Sequence, residues 1–185
     1  MFILYFLSNI QLFPLWLFYK INLILHNHKA YLFKMDMQRE PKSFFAFMRN
    51  PFNRNLYYHR FKPYGHIFRL ICPRMNSLTM PAHSMGGGAL MKHPYNTIIN
   101  AQSIGEGFTI FQNCTIGKTS KGTPKIGNNV TIYAHAIVIG NIHIGNNVVI
   151  GAGAVVTKNI PDNCVVIGNP AFISRRNGIK VHIQL

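Results

Sequence analysis

Acidic residues are scarce in this chain. Asp36, Glu40, Glu106 and Asp162 stand against 19 lysines and arginines, a formal net charge of +15. Such an excess points to nucleic acid or to the anionic headgroups of a membrane. The chain has no recognition-helix pattern and no RRM-type signature, so a nucleic-acid partner is not expected. Cysteine is scarce too: Cys72, Cys114 and Cys164 are too few and too scattered for a disulfide framework, and no CxxC pair offers a zinc site. Reduced thiols in a cytosolic compartment follow. The first 19 residues carry no charge, but Ser8, Asn9, Gln11 and Pro14 interrupt them. A positive n-region and a small-residue cleavage site are both missing, which argues against a signal peptide. Two readings stay open for residues 1–30: a helix resting on a membrane face, or one packing its apolar side on the domain or on a neighbouring subunit.

What is present divides near residue 75. Eleven of the basic residues lie between Lys20 and Arg74, and 18 of the 23 aromatics precede residue 75. Segments 43–49 and 52–61 read as helices, punctuated by Pro41, Pro51, Pro63 and Pro73. Beyond residue 75 a six-residue repeat takes over. Ile126, Ile132, Val138, Ile144, Ile150 and Val156 recur at that period, and each is followed four positions later by Val130, Ala136, Ile142, Val148, Ala154 or Ile160. A helix repeats at 3.6 and a strand at 2, so the period calls for a solenoid in which each hexamer forms one side of a triangular coil. The first aliphatic should fill the axis, the second should suit a corner, and Gly and Asn should accept the corner dihedrals. The register extends back through Ile116, Ile110 and Ile104, with two breaks. Ile116 to Ile126 is ten residues, which extrudes "KTSKGTPK" (118–125); Met91 to Ile98 is seven, a slip that sits on His93.

The repeat, the segment "HPYNTIIN" (93–100), the loop ending "TPKIG" (123–127) and the terminal "VVTKNIPDNCVVIGNPAFI" (155–173) together resemble the hexapeptide-repeat acyltransferases, within them the serine acetyltransferase branch and its polysaccharide O-acetyltransferase relatives. The resemblance implies a mainly β fold: a left-handed parallel β-helix over residues 75–177, a helical, aromatic and basic segment at 1–74, and a tail at 178–185. It implies an acetyl-CoA-dependent O-acetyltransferase, cytoplasmic, free or at the inner membrane face, assembled as a homotrimer with the active site shared between subunits. His93 falls on the position of the general base that takes the acceptor's hydroxyl proton. Coenzyme A binding falls on Ala134, Gly151, Ala152, Thr157 and Lys158, with Arg175 and Arg176 suited to phosphates.

The chain departs from the serine enzymes at three places. Leu78 stands where they carry an aspartate that orients the histidine. Lys92 replaces an acid directly before the base, and Thr123 replaces a second histidine in the loop. Lys92 and Thr123 are therefore candidate acceptor contacts, and the acceptor leans away from free serine toward an uncharged or acidic molecule such as a sugar. His135 and His143 read as solvent-facing. They lie eight apart with no close pair, so no metal is expected and a zinc hydratase is the weaker rival. His26 and His28 read as surface. A non-catalytic β-helix scaffold, membrane-associated through its N-terminus, is the other alternative.

Overall fold

The computed structural model describes residues 2–25, 27–40 and 43–185, in two compact units, Met1–Asn76 and Ser77–Leu185. The first unit is helical: α1 (Phe2–Ile24), α2 (His28–Gln38), α3 (Phe44–Met48), α4 (Pro51–Arg60) and a 3₁₀ helix (Tyr64–Leu70). Local chemistry sets several of their starts. The Asn27 side chain accepts from the Lys29 N–H at the head of α2, Ser43 does the same for Ala46 in α3, and Pro51 opens α4 where a missing N–H costs nothing.

The core of this unit is aromatic. Phe33 meets Tyr19, Phe44, Phe47, Tyr57 and Phe61 edge-on, an arrangement that the ring quadrupoles favour. Leu12, Leu15 and Tyr19 seat one side of α1 in that core, and the Tyr57 hydroxyl donates to the Leu15 carbonyl at 2.9 Å. Ile10, Phe13, Leu17 and Ile21 stay exposed on α1. Among the described residues no helix is long and apolar enough to cross a membrane. His28 is exposed, whereas His26 and Pro41 lie outside the described residues.

The second unit is a parallel β-solenoid of five turns. The strands follow in order Leu78–Thr79 (β1), Ser84–Met85 (β2) and Leu90–Met91 (β3), then Thr97–Ile99 (β4), Ser103–Ile104 (β5) and Thr109–Ile110 (β6). Next come Thr115–Gly117 (β7), Lys125–Ile126 (β8), Thr131–Ile132 (β9), Ile137–Ile139 (β10), His143–Ile144 (β11), Val149–Ile150 (β12) and Val155–Val156 (β13). Every third strand stacks in parallel on the one before, giving a first face β1-β4-β7-β10-β13, a second face β2-β5-β8-β11 and a third face that runs β3-β6-β9-β12. Cys164–Ile167 (β14) extends the third face in parallel, and Phe172–Arg176 (β15) and Ile179–Gln184 (β16) close it as an antiparallel hairpin. Residues 179–184, expected to be a tail, are therefore the last strand of a sheet.

Six-residue periodicity is visible because both marked positions are buried. Ile126, Ile132, Val138, Ile144, Ile150 and Val156 fill the axis, and the residues four later are buried as well, so they are core and not merely small residues at a corner. The turn chemistry is split between two slots. On two of the three edges the residue just before the second buried position takes positive φ, as at Gly107, Asn113, Asn129, His135, Asn147, Gly153 and Asn163. The glycine after the first aliphatic serves another purpose. A Cβ on Gly127 would lie 2.7 Å from the Gly145 carbonyl oxygen of the next coil, so Gly here sets coil spacing and not dihedral freedom. The edge between the second and third faces carries a ladder in which Asn129 donates to Asn147 and Asn147 to Asn163.

One register expectation is corrected. Ile99, not Ile98, fills the axis: Ile99 pairs with Ile116, while Ile98 is 45% exposed. The spacing from Met91 is thus eight, against six from Ile110 to Ile116.

Candidate functional site

The edge where the third face turns into the first explains the eight-residue spacing. In successive coils Lys92, Phe111, Tyr133 and Gly151 donate their N–H groups to Ile110, Ile132, Ile150 and Val166, so they share one slot. Further along the corner Asn113 bonds back to Tyr95, His135 to Gln112 and Gly153 to Ala134. Tyr95 therefore matches Gln112, Ala134 and Ala152. Between Lys92 and Tyr95 two residues remain without a counterpart in any later coil: His93 and Pro94.

These two bulge from an otherwise flush edge. The His93 carbonyl accepts from the Tyr95 N–H at 2.7 Å, which folds the backbone sharply and holds His93 at φ 48°. Histidine is among the residues that tolerate this left-handed region, and such conformations gather at functional sites. Thr97 anchors the far end: its hydroxyl lies 3.1 Å from the Tyr95 carbonyl and 3.4 Å from the Cys114 N–H. The His93 side chain is exposed and Lys92 beside it half-buried. His135, at φ 62°, is the internal control, since it fills an ordinary corner slot. Phe111 and Tyr133 stack at 4.8 Å on this edge, in the slot above Lys92. Neither aromatic was singled out from sequence, although both follow an axial isoleucine directly.

The other candidates separate by place. Ala134, Gly151 and Ala152 lie on the histidine edge, where small residues leave a smooth strip. Thr123, Thr157 and Lys158 lie on the edge between the first and second faces, with Arg175 and Arg176 exposed on β15. The extruded loop is a tight hairpin: Thr119 and Gly122 exchange backbone hydrogen bonds at 3.0 and 3.1 Å, and the chain rejoins the second face at Lys125. Beneath it, a cavity of about 340 Å³ is lined by Thr119, Ser120, Lys121, Ile139, Asn141 and Thr157, among others. One protomer thus presents the histidine and the loop on different edges. Leu78 is buried and pairs with Thr97, so this place offers no carboxylate. His143 is exposed on β11, apart from His135. Among the described residues no group of histidines, cysteines and carboxylates could hold a metal ion. The three cysteines are free and buried, and burial pushes their thiols up.

Comparison with known proteins agrees with the repeat fold. The family described as bacterial transferase hexapeptide (six repeats) matches residues 123–158. A serine acetyltransferase of Synechococcus elongatus is 39% identical over 106 residues, 55% of this chain and 43% of the relative. One from Staphylococcus aureus (strain Mu50) is 38% identical over 106 residues, 55% of this chain and 50% of its own length. The chain therefore spans half or less of these relatives. The crystal structure of serine acetyltransferase from Brucella abortus superposes with a TM-score of 0.64 at 23% identity, covering 81% of this chain and 70% of that one. The solenoid of this chain is a hexapeptide-repeat solenoid of the kind found in serine acetyltransferases.

Proposed function

We propose that the chain is an acyltransferase that moves an acetyl group from acetyl-CoA to a hydroxyl of a small acceptor, with His93 as general base. The observation that carries this reading is the His93–Pro94 insertion, which lifts one imidazole out of a regular edge. In the reaction the acceptor hydroxyl gives its proton to the imidazole as its oxygen attacks the thioester carbonyl carbon. The tetrahedral intermediate then collapses, the C–S bond breaks, and the coenzyme thiolate recovers the proton from the imidazolium. A base so placed contributes roughly 10²–10⁴ in rate, and holding both substrates in line contributes further.

Coenzyme A runs along the small-residue strip of Ala134, Gly151 and Ala152, and Thr157, Lys158, Arg175 and Arg176 reach it from a neighbouring copy. Because the histidine and the loop occupy different edges, a complete site needs two protomers, which fits a closed assembly such as a homotrimer. Both carboxylates of the solenoid, Glu106 and Asp162, belong to the asparagine edge, where their neighbours are Asn128 and Asn146. The histidine edge carries Lys92 and the loop edge Lys118, Lys121 and Lys158. An acceptor with a free ammonium finds no carboxylate on either, so a sugar or another neutral or acidic acceptor suits the site better than L-serine, with Lys92 and Thr123 as its contacts.

The test is release of coenzyme A thiol from acetyl-CoA with serine and a panel of sugars. Release that depends on acceptor and falls by about 10²–10⁴ in His93→Ala, while His135→Ala keeps full rate, supports the proposal. Absence of release with every acceptor, or release indifferent to His93→Ala, favours a non-catalytic scaffold.

A further inference from the structure

The 3₁₀ helix Tyr64–Leu70 has three residues per turn, so its side chains form three straight rows. Gly65 and Phe68 make the inward row, with Phe68 edge-on to Phe18. Tyr64, Ile67 and Leu70 make a row facing solvent, 75%, 71% and 93% exposed. His66 and Arg69 make the third, half-buried and joined by an Arg69 Nη2 to His66 Nε2 contact of 3.2 Å. The His66 ring also bonds the Tyr58 backbone, and the Arg69 guanidinium lies 5.6 Å from the centre of the Tyr58 ring.

Two more cations close on this row. Lys62 and Arg74 both repel Arg69 and His66, and among the described residues no carboxylate pairs with any of the four. Burial first, then these neighbours, hold Lys62, His66 and Arg69 below their ordinary pKa values. The segment that presents Arg74 is pinned from behind: the Tyr58 hydroxyl donates to the Cys72 carbonyl at 2.6 Å and Arg54 to the Pro73 carbonyl at 2.8 Å. Crowding like charges on a pinned frame costs stability unless something negative joins them. The decisive detail is Arg69 Nε, a buried donor with no hydrogen-bond partner. Such an orphan is uncommon and destabilising.

We propose that Lys62, His66, Arg69 and Arg74 form an anion-binding site for a phosphate group, in which the Arg69 guanidinium turns outward to present Nε to a phosphate oxygen. Arginine's fork matches phosphate oxygens, and Lys62 and Arg74 supply the remaining charge. The phosphate belongs either to a soluble ester or to a lipid headgroup. The exposed row of Tyr64, Ile67 and Leu70 beside the site makes the second source sterically natural.

The experiment follows the His66 ring resonances of the full chain by NMR, assigned with His66→Gln. Three titrants are used: inorganic phosphate, phosphatidylglycerol-containing vesicles, and phosphatidylcholine vesicles, with chloride at matched ionic strength as control. Saturable movement with inorganic phosphate is expected. Movement with phosphatidylglycerol vesicles alone assigns the phosphate to a headgroup, again in the site's favour. Lys62→Gln/Arg74→Gln, which changes only exposed side chains, should raise the half-saturating concentration roughly tenfold or more. Arg69→Lys keeps the charge and loses the fork, and should weaken binding as well. No saturable movement with either phosphate source, equal movement with chloride, or unchanged affinity in the double variant overturns the site.

Discussion

The two units hold themselves together by opposite means. The helical unit concentrates its support: an aromatic cluster gathers on Phe33, and an ion pair, Asp36 with Arg60 at 2.9 Å, is sealed inside. The solenoid spreads its support over repeated buried aliphatic pairs, joined in its later coils by the Asn129–Asn147–Asn163 ladder. A concentrated core fails at single residues, while a ladder yields rung by rung. The same contrast governs chemistry: where every rung is alike, two inserted residues such as His93 and Pro94 are the only departure on their edge.

The largest effect is expected in the helical unit. Arg60 donates to both Asp36 oxygens at 2.9 Å, with the carboxylate fully buried. Arg60→Met removes this paired donor from a buried carboxylate and should cost about 3–5 kcal/mol, whereas Asp36→Leu with Arg60→Met together should restore most of it. The single tryptophan, Trp16, packs in this unit, so denaturant unfolding followed by its fluorescence reads the change there. Failure of the double variant to recover would mean that the pair organises the aromatic core beyond its own charge balance.

Next comes Gly127→Ala in the solenoid. Its new Cβ must sit 2.7 Å from the Gly145 oxygen, and forcing two coils apart should cost about 1–3 kcal/mol by circular dichroism of the β signal. Gly153→Ala meets nothing within 4 Å, and its cost arises from φ alone at 69°. If the two variants cost the same, coil spacing is not what the first glycine slot protects.

These positions also mark what was legible in the amino-acid order. Six-residue periodicity was, because strands of two or three residues expose one axial side chain per side. The break at His93 was legible for the same reason. The inward choice between Ile98 and Ile99 was not, since both are aliphatic and only pairing with Thr115 and Ile116 decides it. The helices at 43–49 and 52–61 were legible between prolines, and in the structure Ser43 and Pro51 start them. Which side of α1 is buried was hidden, because Leu12 and Leu15 inside resemble Ile10 and Leu17 outside. The pairing of His66 with Arg69 was hidden too: the two align only once the chain adopts three residues per turn.

A smaller effect is expected at the asparagine edge. Asn147 accepts from Asn129 at 3.2 Å, donates to Asn163 at 3.0 Å and sits at φ 54°. Asn147→Ala loses both bonds and keeps a Cβ in the left-handed region, for about 1–2 kcal/mol. Asn147→Gly loses the bonds but relieves the backbone, so it should cost less. Equal losses in thermal melts would show that the side-chain ladder, and not the turn, does the work.

The smallest effect lies at the end of the neighbouring ladder, in which the Asn128 N–H donates to the Asn146 side chain and the Asn146 N–H to Asp162. Asp162 accepts from the Asn146 N–H at 2.7 Å and from its amide at 3.3 Å, and these bonds hold the carboxyl below its ordinary value of 3.8. A depressed folded pKa means that the charged form stabilises the fold. That contribution is complete above 3.8 and is lost as pH falls through the lower folded value. The side chain is fully exposed, so solvent screening keeps the increment slight. Asp162→Asn should therefore melt marginally lower than the unmodified chain near neutrality, and the two curves should converge in acid. Divergence in acid would mean that the protonated carboxyl, not the charged one, holds the last rung.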